Sequence, residues 1–355
     1  MRKIILVILL IIVTFYGCGR DEIVTPPDEA NTSKGAYILS EGTFTPGTSK
    51  LSFYNKSSDS FFTSIFNPVN LGNSPDGMIL SGDVLYITEQ GNFGSAGKIY
   101  KTDTNGTVLL SAGTGVNPYS LTEANNKLYI TNGPANNVSV VDKNSLSVIT
   151  TINTGLYPQE IISIGNKVFV CNTSVFGGGT DSTVTVIDAV TDSAVATIVL
   201  KKFATSLAVS TDNKLLIGCP GDASTAVIYK VDPSTYIKTD SFKNMNHGFC
   251  RDITVINSSS ILFIGGDIYS EGTIEWYSLI TGSSVTLIPK PANEINYSLA
   301  YDRESDKIYV GTASTNFTSA GRFQIYNNSG TLQKSFTISN SSSSGLAPRR
   351  IVVKN

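Results

Sequence analysis

Lys127-Leu128-Tyr129-Ile130-Thr131-Asn132 is followed, after a turn, by Val138-Ser139-Val140-Val141-Asp142, by Val148-Ile149-Thr150-Thr151-Ile152, and then by Gly155-Leu156-Tyr157-Pro158-Gln159-Glu160-Ile161. These are four short segments rich in β-branched and aromatic residues, separated by Asn, Asp and Gly. That is the pattern of four successive strands joined by tight turns. The same order returns at Lys167-Val168-Phe169-Val170-Cys171-Asn172, Val184-Thr185-Val186-Ile187-Asp188 and Ala194-Val195-Ala196-Thr197-Ile198. The chain is therefore a repeat.

Working outward, the opening strand of the unit can be read seven times: at Ala36 to Leu39, Val84 to Ile87, Leu128 to Ile130, Val168 to Val170, Leu215 to Ile217, Ile261 to Ile264 and Ile308 to Val310. The following strand ends each time in a residue suited to a hairpin: Asn55, Asp103, Asp142, Asp188, Asp232, Ser278 and Asn327. A four-stranded unit recurring every ~40–50 residues is a propeller blade. The last segment, Pro348-Arg349-Arg350-Ile351-Val352-Val353-Lys354, has no unit after it. It is expected to pair with the blade opened by Ala36 to Leu39 and so close the ring. The expectation for residues 35–355 is an all-β, seven-bladed β-propeller with four antiparallel strands per blade, closed by the C-terminal strand in the first blade. A repeat also accommodates roughly 320 residues, more than one ordinary core usually reaches.

The segments Leu128-Tyr129-Ile130-Thr131-Asn132, Val138 to Asp142 and Gly155 to Ile161 resemble the YVTN-type propeller repeat of bacterial surface and periplasmic proteins of the YncE kind. The resemblance covers nearly everything after residue 35. It implies the fold but little about function, since propellers host many activities. Some outer-membrane propeller lipoproteins similar to this family capture cobamides for a partner transporter. By resemblance, a corrinoid or another large nutrient is the most concrete ligand implied.

The N-terminus carries Met1-Arg2-Lys3, an unbroken apolar run from Ile4 to Val13, and Gly17-Cys18. This reads as a secretory signal peptide over 1–17, too short to span a bilayer. Gly17-Cys18 resembles a lipobox, which implies lipidation of Cys18 and anchoring in the cell envelope, with the outer membrane expected. Residues 18–34 are polar, contain Pro26-Pro27 and read as a tether. Asp21-Glu22 resembles a surface-export signal.

Charged residues are 15% of the chain, with 26 Lys and Arg against 28 Asp and Glu, so no basic field is available for nucleic acid. The single histidine, His247, excludes a multi-histidine metal site and is expected in a solvated loop. No phosphate, dinucleotide, zinc or serine-nucleophile motif occurs, and Gly177-Gly178-Gly179 reads as a loop between strands. Neither a cofactor nor a catalytic residue is assigned. The residues that open the inner strands are Asp76, Tyr119, Gln159 with Glu160, Thr205, Arg251 with Asp252, Tyr297, and Arg349 with Arg350.

They are expected to ring one opening, among the connections 89–97, 172–182, 266–272 and 312–321, while tight turns such as Gly165-Asn166 and Asp212-Asn213 face the other way. Ion pairs that hold the blades together are one reading of this ring; a ligand mouth is the other, because Tyr and Arg are enriched in binding hot spots. Of the remaining cysteines, Cys171 reads as a buried strand residue, and Cys219 and Cys250 are expected close enough for a disulfide. Three functions stay open: a non-catalytic binding lipoprotein, a lyase- or lactonase-type propeller enzyme using channel carboxylates and a metal, and a protein-interaction scaffold.

Overall fold

The computed structural model describes residues 33–355 except 44, 46, 68–70, 174–180, 249, 267–271, 340 and 342–343. The signal peptide, Cys18, most of the tether and Gly177-Gly178-Gly179 thus lie outside the described residues. The described residues form seven four-stranded antiparallel sheets and no helix.

Blade 1 runs from the axis outward as Pro348–Lys354, Gly35–Ser40, Lys50–Asn55 and Ser60–Phe62. The other inner strands are Pro75–Ser81, Pro118–Ala124, Pro158–Ile164, Ser206–Val209, Arg251–Val255 and Glu294–Asp302, for blades 2 to 7 in order. The ring closes as expected: Ala36 pairs with Val353, Tyr37 with Val352 and Ile38 with Ile351.

Strand alternation builds the core. In Gly35–Ser40, Tyr37 and Leu39 pack toward Met78, Leu85 and Ile87 of blade 2, whereas Ala36 and Ile38 pack toward Tyr309, Phe323 and Ile325 of blade 7. The same division of odd and even positions gives one hydrophobic cluster at every blade-to-blade contact, seven around the ring. No blade has a core of its own; each is stabilised by its two neighbours.

The polar residue ending each third strand closes the next turn. Asp142 Oδ1 accepts from the backbone N–H groups of Asn144 and Ser145, at 3.0 and 2.8 Å. Asn55, Asp103, Asp188, Asp232 and Asn327 do the same with a side-chain oxygen, and Ser278 with its hydroxyl. These turns lie on one face. On the other, the second-to-third-strand loops and the entries into the inner strands emerge together, since Pro118, Asn132 and Asn137 are paired side by side. The loop-rich face and the turn-rich face are therefore opposite, as the repeat implies.

Candidate functional site

Four blades begin their inner strand with proline, and the residue before it is left-handed each time: Ser74, Asn117, Tyr157 and Ala347 have φ of 49°, 44°, 51° and 49°. A residue preceding proline normally avoids that region, so the conformation is held by the surrounding ring. A β-bulge follows. The register slips between Pro75 and Met78, Pro118 and Leu121, Pro158 and Ile161, Arg251 and Thr254, and Asn296 and Ser298. In the closing strand Arg349 is itself the extra residue, between Pro348 paired with Ser40 and Arg350 paired with Leu39. Bulges turn side chains that a regular ladder would place elsewhere. Here they place Asp76, Tyr119, Glu160, Asp252, Tyr297 and Arg349 at one opening.

Arg349 lies across that opening. Its side chain is 4% exposed and reaches five other groups. Nη2 donates to Glu160 Oε1 at 2.9 Å and to the Tyr119 hydroxyl at 3.0 Å, Nε is 3.3 Å from Asp76 Oδ1, Nη1 is 3.5 Å from Asp252 Oδ1, and Glu41 Oε1 is 4.0 Å from Nε. Arg350 adds a 2.6 Å bond from Nη2 to Glu160 and a 3.2 Å bond from Nε to the Asp76 carbonyl. Arg251 sits over the Tyr297 ring at 4.9 Å and donates to the Tyr297 carbonyl at 2.6 Å. The Tyr297 hydroxyl is 3.5 Å from Glu41.

The electrostatics follow from this packing. Burial alone would raise the Glu160 carboxyl, but the Arg350 and Arg349 guanidinium groups offset it and hold Glu160 below the usual carboxylate range. Burial dominates at Glu41; with Asp76 adding repulsion and the arginines pulling back, its pKa is pushed up to about 7. Asp76 is raised as well, first by burial. Burial likewise raises the Tyr119 and Tyr297 phenols, keeping both as neutral donors at physiological pH.

Of the residues expected at the opening, Asp76, Tyr119, Glu160, Asp252, Tyr297, Arg349 and Arg350 come together in this network, with Arg251 stacked on Tyr297. Gln159 is buried, and its carbonyl accepts from Thr131 Oγ1 at 2.7 Å. Thr205 donates its backbone N–H to Gly218. Glu41 belongs to the network but follows the second strand of blade 1 in Ser40-Glu41-Gly42, where nothing in the repeat marks it. A cavity of about 140 Å³ adjoins the network between the inner strands of blades 1, 4, 5, 6 and 7. Among the described residues no group of three or more His, Cys, Asp or Glu side chains is arranged to hold a metal. His247 is half-buried against Gly265 rather than solvated.

The rim differs in character. Phe93 is 80% exposed at the tip of the blade 2 loop, Phe317 is 41% exposed against Tyr297, and Leu156 is 40% exposed. Asn117 holds the Phe93 loop by accepting from Gly94 N–H at 2.6 Å and donating to the Gln90 and Asn92 carbonyls. The connections expected at 172–182 and 266–272 lie mostly outside the described residues.

The expected disulfide is corrected: Cys171, Cys219 and Cys250 are all free and buried. A Cβ on Gly218 would sit 3.2 Å from Cys250 Cβ, so it is Gly218 that faces Cys250. Its neighbour Cys219 then points to the other side of the sheet, into the cluster with Phe169 and Cys171. Cys250 donates its thiol to Met245 Sδ at 3.0 Å. Burial pushes the Cys219 thiol up to about 12, far from a reactive thiolate.

No curated protein matches the chain in sequence. Solved structures share the fold. One is a quinonprotein alcohol dehydrogenase-like protein from Bacteroides thetaiotaomicron, with TM-score 0.67 and 16% identity, covering 92% of this chain and 79% of that one. Kuenenia stuttgartiensis hydrazine synthase gives TM-score 0.60 and 17% identity over 71% and 76% of the two chains. The dihydro-heme d1 dehydrogenase NirN gives 0.55 and 12% over 93% and 77%. The family model described as a domain of unknown function, DUF5074, matches residues 34–340, and the chain belongs to that family.

Proposed function

We propose that this chain is a lipid-anchored cell-envelope protein whose propeller binds an extracytoplasmic ligand at the loop-rich mouth without transforming it. The observation that carries the reading is the contrast between floor and rim. The charged groups of the floor are mostly engaged with one another around Arg349, whereas Phe93, Phe317 and Leu156 stand exposed above them. A broad apolar rim over a polar floor suits a large, flat molecule with apolar faces and polar edges. A corrinoid, the ligand implied by the YVTN-type resemblance, has that shape, and an outer-membrane transporter would be the partner that receives it.

Polarity along the chain supports the same arrangement. Lys34 and Gly35 lie on the turn-rich face, where Lys56 N–H donates to the Lys34 carbonyl. A lipid tether ending at Cys18 would leave from that face and direct the mouth away from the membrane.

The full chain in detergent should bind cyanocobalamin saturably, and Phe93→Ser with Leu156→Ser should weaken it about tenfold or more, the loss of one apolar anchor being worth on the order of 1–2 kcal/mol. Melting temperatures should not change, since neither side chain is in the core. Binding untouched by these substitutions would move the ligand off the rim, and no binding of any corrinoid would remove this ligand class.

A further inference from the structure

We propose that the channel holds a second, smaller binding place beside the mouth, built for the zwitterionic head of an α-amino acid. The cavity of about 140 Å³ has a mainly polar lining, with Arg349, Arg350, Glu160 and Asp252 as its charged groups. Leu207, Ile253, Leu299 and Ile351 border it, their side chains packed into the clusters between blades. A single water needs only ~10–15 Å³ by this measure, so the space admits a molecule of several heavy atoms.

The charged groups are incompletely paired. Arg349 is almost fully buried, yet its Nη1 makes no hydrogen bond and has only the 3.5 Å ion pair to Asp252 Oδ1. A buried guanidinium N–H without an acceptor costs free energy that a carboxylate would recover. Glu160 accepts both arginines on Oε1, and no hydrogen bond among the described residues uses its Oε2 or the Oδ2 of Asp252. An ammonium group would find these two acceptors. A lone anion or a lone cation would satisfy half of the site and add net charge to a desolvated place. A zwitterion satisfies both halves and adds none.

Calorimetric titration of the full chain with L-valine tests this, set beside isobutylamine, which lacks the carboxylate, and 3-methylbutanoate, which lacks the amine. Expected is saturable one-to-one binding of valine with Kd below about 1 mM, and binding of each analogue weaker by about tenfold or more. Asp252→Asn should weaken valine about tenfold, and so should Glu160→Gln, each titrated well below its own melting temperature, which falls because a buried ion pair is broken. Absence of saturable heat with valine, leucine or alanine up to about 10 mM would overturn the proposal, as would analogues that bind equally well. A site unaffected by both substitutions would overturn it too. The corrinoid titration reads the mouth independently, so either result can fail while the other stands.

Discussion

Glu41 shows how one residue's surroundings can set the pH behaviour of the whole ring. Burial and the nearby Asp76 raise its carboxyl from the ordinary 4.5 to about 7. In the folded state the proton is thus held more tightly than in the unfolded chain. Its stabilising effect is complete below about pH 4.5 and is lost as pH rises toward 7. Asp76 is shifted in the same direction. Glu160 is shifted in the opposite one, so its contribution is lost only in acid. The melting temperature of the parent should therefore fall by a few degrees between pH 4.5 and 7. Glu41→Gln should flatten that slope. Parallel curves for the two proteins would show that Glu41 is not the titrating group. The position of Glu41 illustrates where sequence reading stops: Arg349 and Asp76 could be picked out because they follow a proline that opens a strand, while Glu41 joins them only through the folding of the ring.

Among elements, the strands themselves were readable because each opening strand is a run of buried β-branched and aromatic residues and the strand after it ends at an Asx or Ser turn, which chemistry alone requires. The bulges were not, since a bulge depends on how a strand meets its neighbour. Its trace is the left-handed residue before proline, visible in sequence only as Ser74-Pro75, Asn117-Pro118, Tyr157-Pro158 and Ala347-Pro348. Nor was it evident that Cys219 and Gly218 would divide two faces between them, with the glycine against Cys250.

The entries into the inner strands are held by hydroxyl latches from blade to blade. Thr88 Oγ1 donates to the Tyr119 carbonyl at 3.1 Å, Thr131 Oγ1 to the Gln159 carbonyl at 2.7 Å and Thr173 Oγ1 to the Ala204 carbonyl at 3.0 Å. Thr131 also accepts from Ser120 N–H at 3.0 Å. Thr131→Val keeps the shape and removes the hydroxyl, leaving a buried carbonyl and a buried N–H without partners. The loss should be about 1–3 kcal/mol in urea unfolding, larger than for Thr131→Ser, which retains the bonds. Equal losses for Val and Ser would mean that the methyl group, not the latch, matters.

At the scale of the molecule, everything converges on the last strand. Pro348–Lys354 is the only part of blade 1 contributed by the C-terminal end of the chain, and it supplies Arg349 to the axis. Two effects of losing it can be separated. Arg349→Ala strands Asp76, Glu160 and Asp252 beside one another, and breaking a buried pair of this kind costs about 3–5 kcal/mol, but every backbone ladder remains. That protein should melt at lower temperature in one cooperative step. Deleting 348–355 also exposes the inner edge of Gly35–Ser40 and uncovers Ile38, which packs between blades 1 and 7 with Ile351 and Val353 alongside. Because each hydrophobic cluster is shared by two blades, an opened ring has two blades lacking a neighbour rather than one damaged site, and unfolding should spread from them. The truncated chain should lose the single sharp transition in calorimetry and become susceptible to protease first within blades 1 and 7. If it instead melts as sharply as Arg349→Ala and at the same temperature, the closing strand acts only through its arginine and ring closure contributes nothing further.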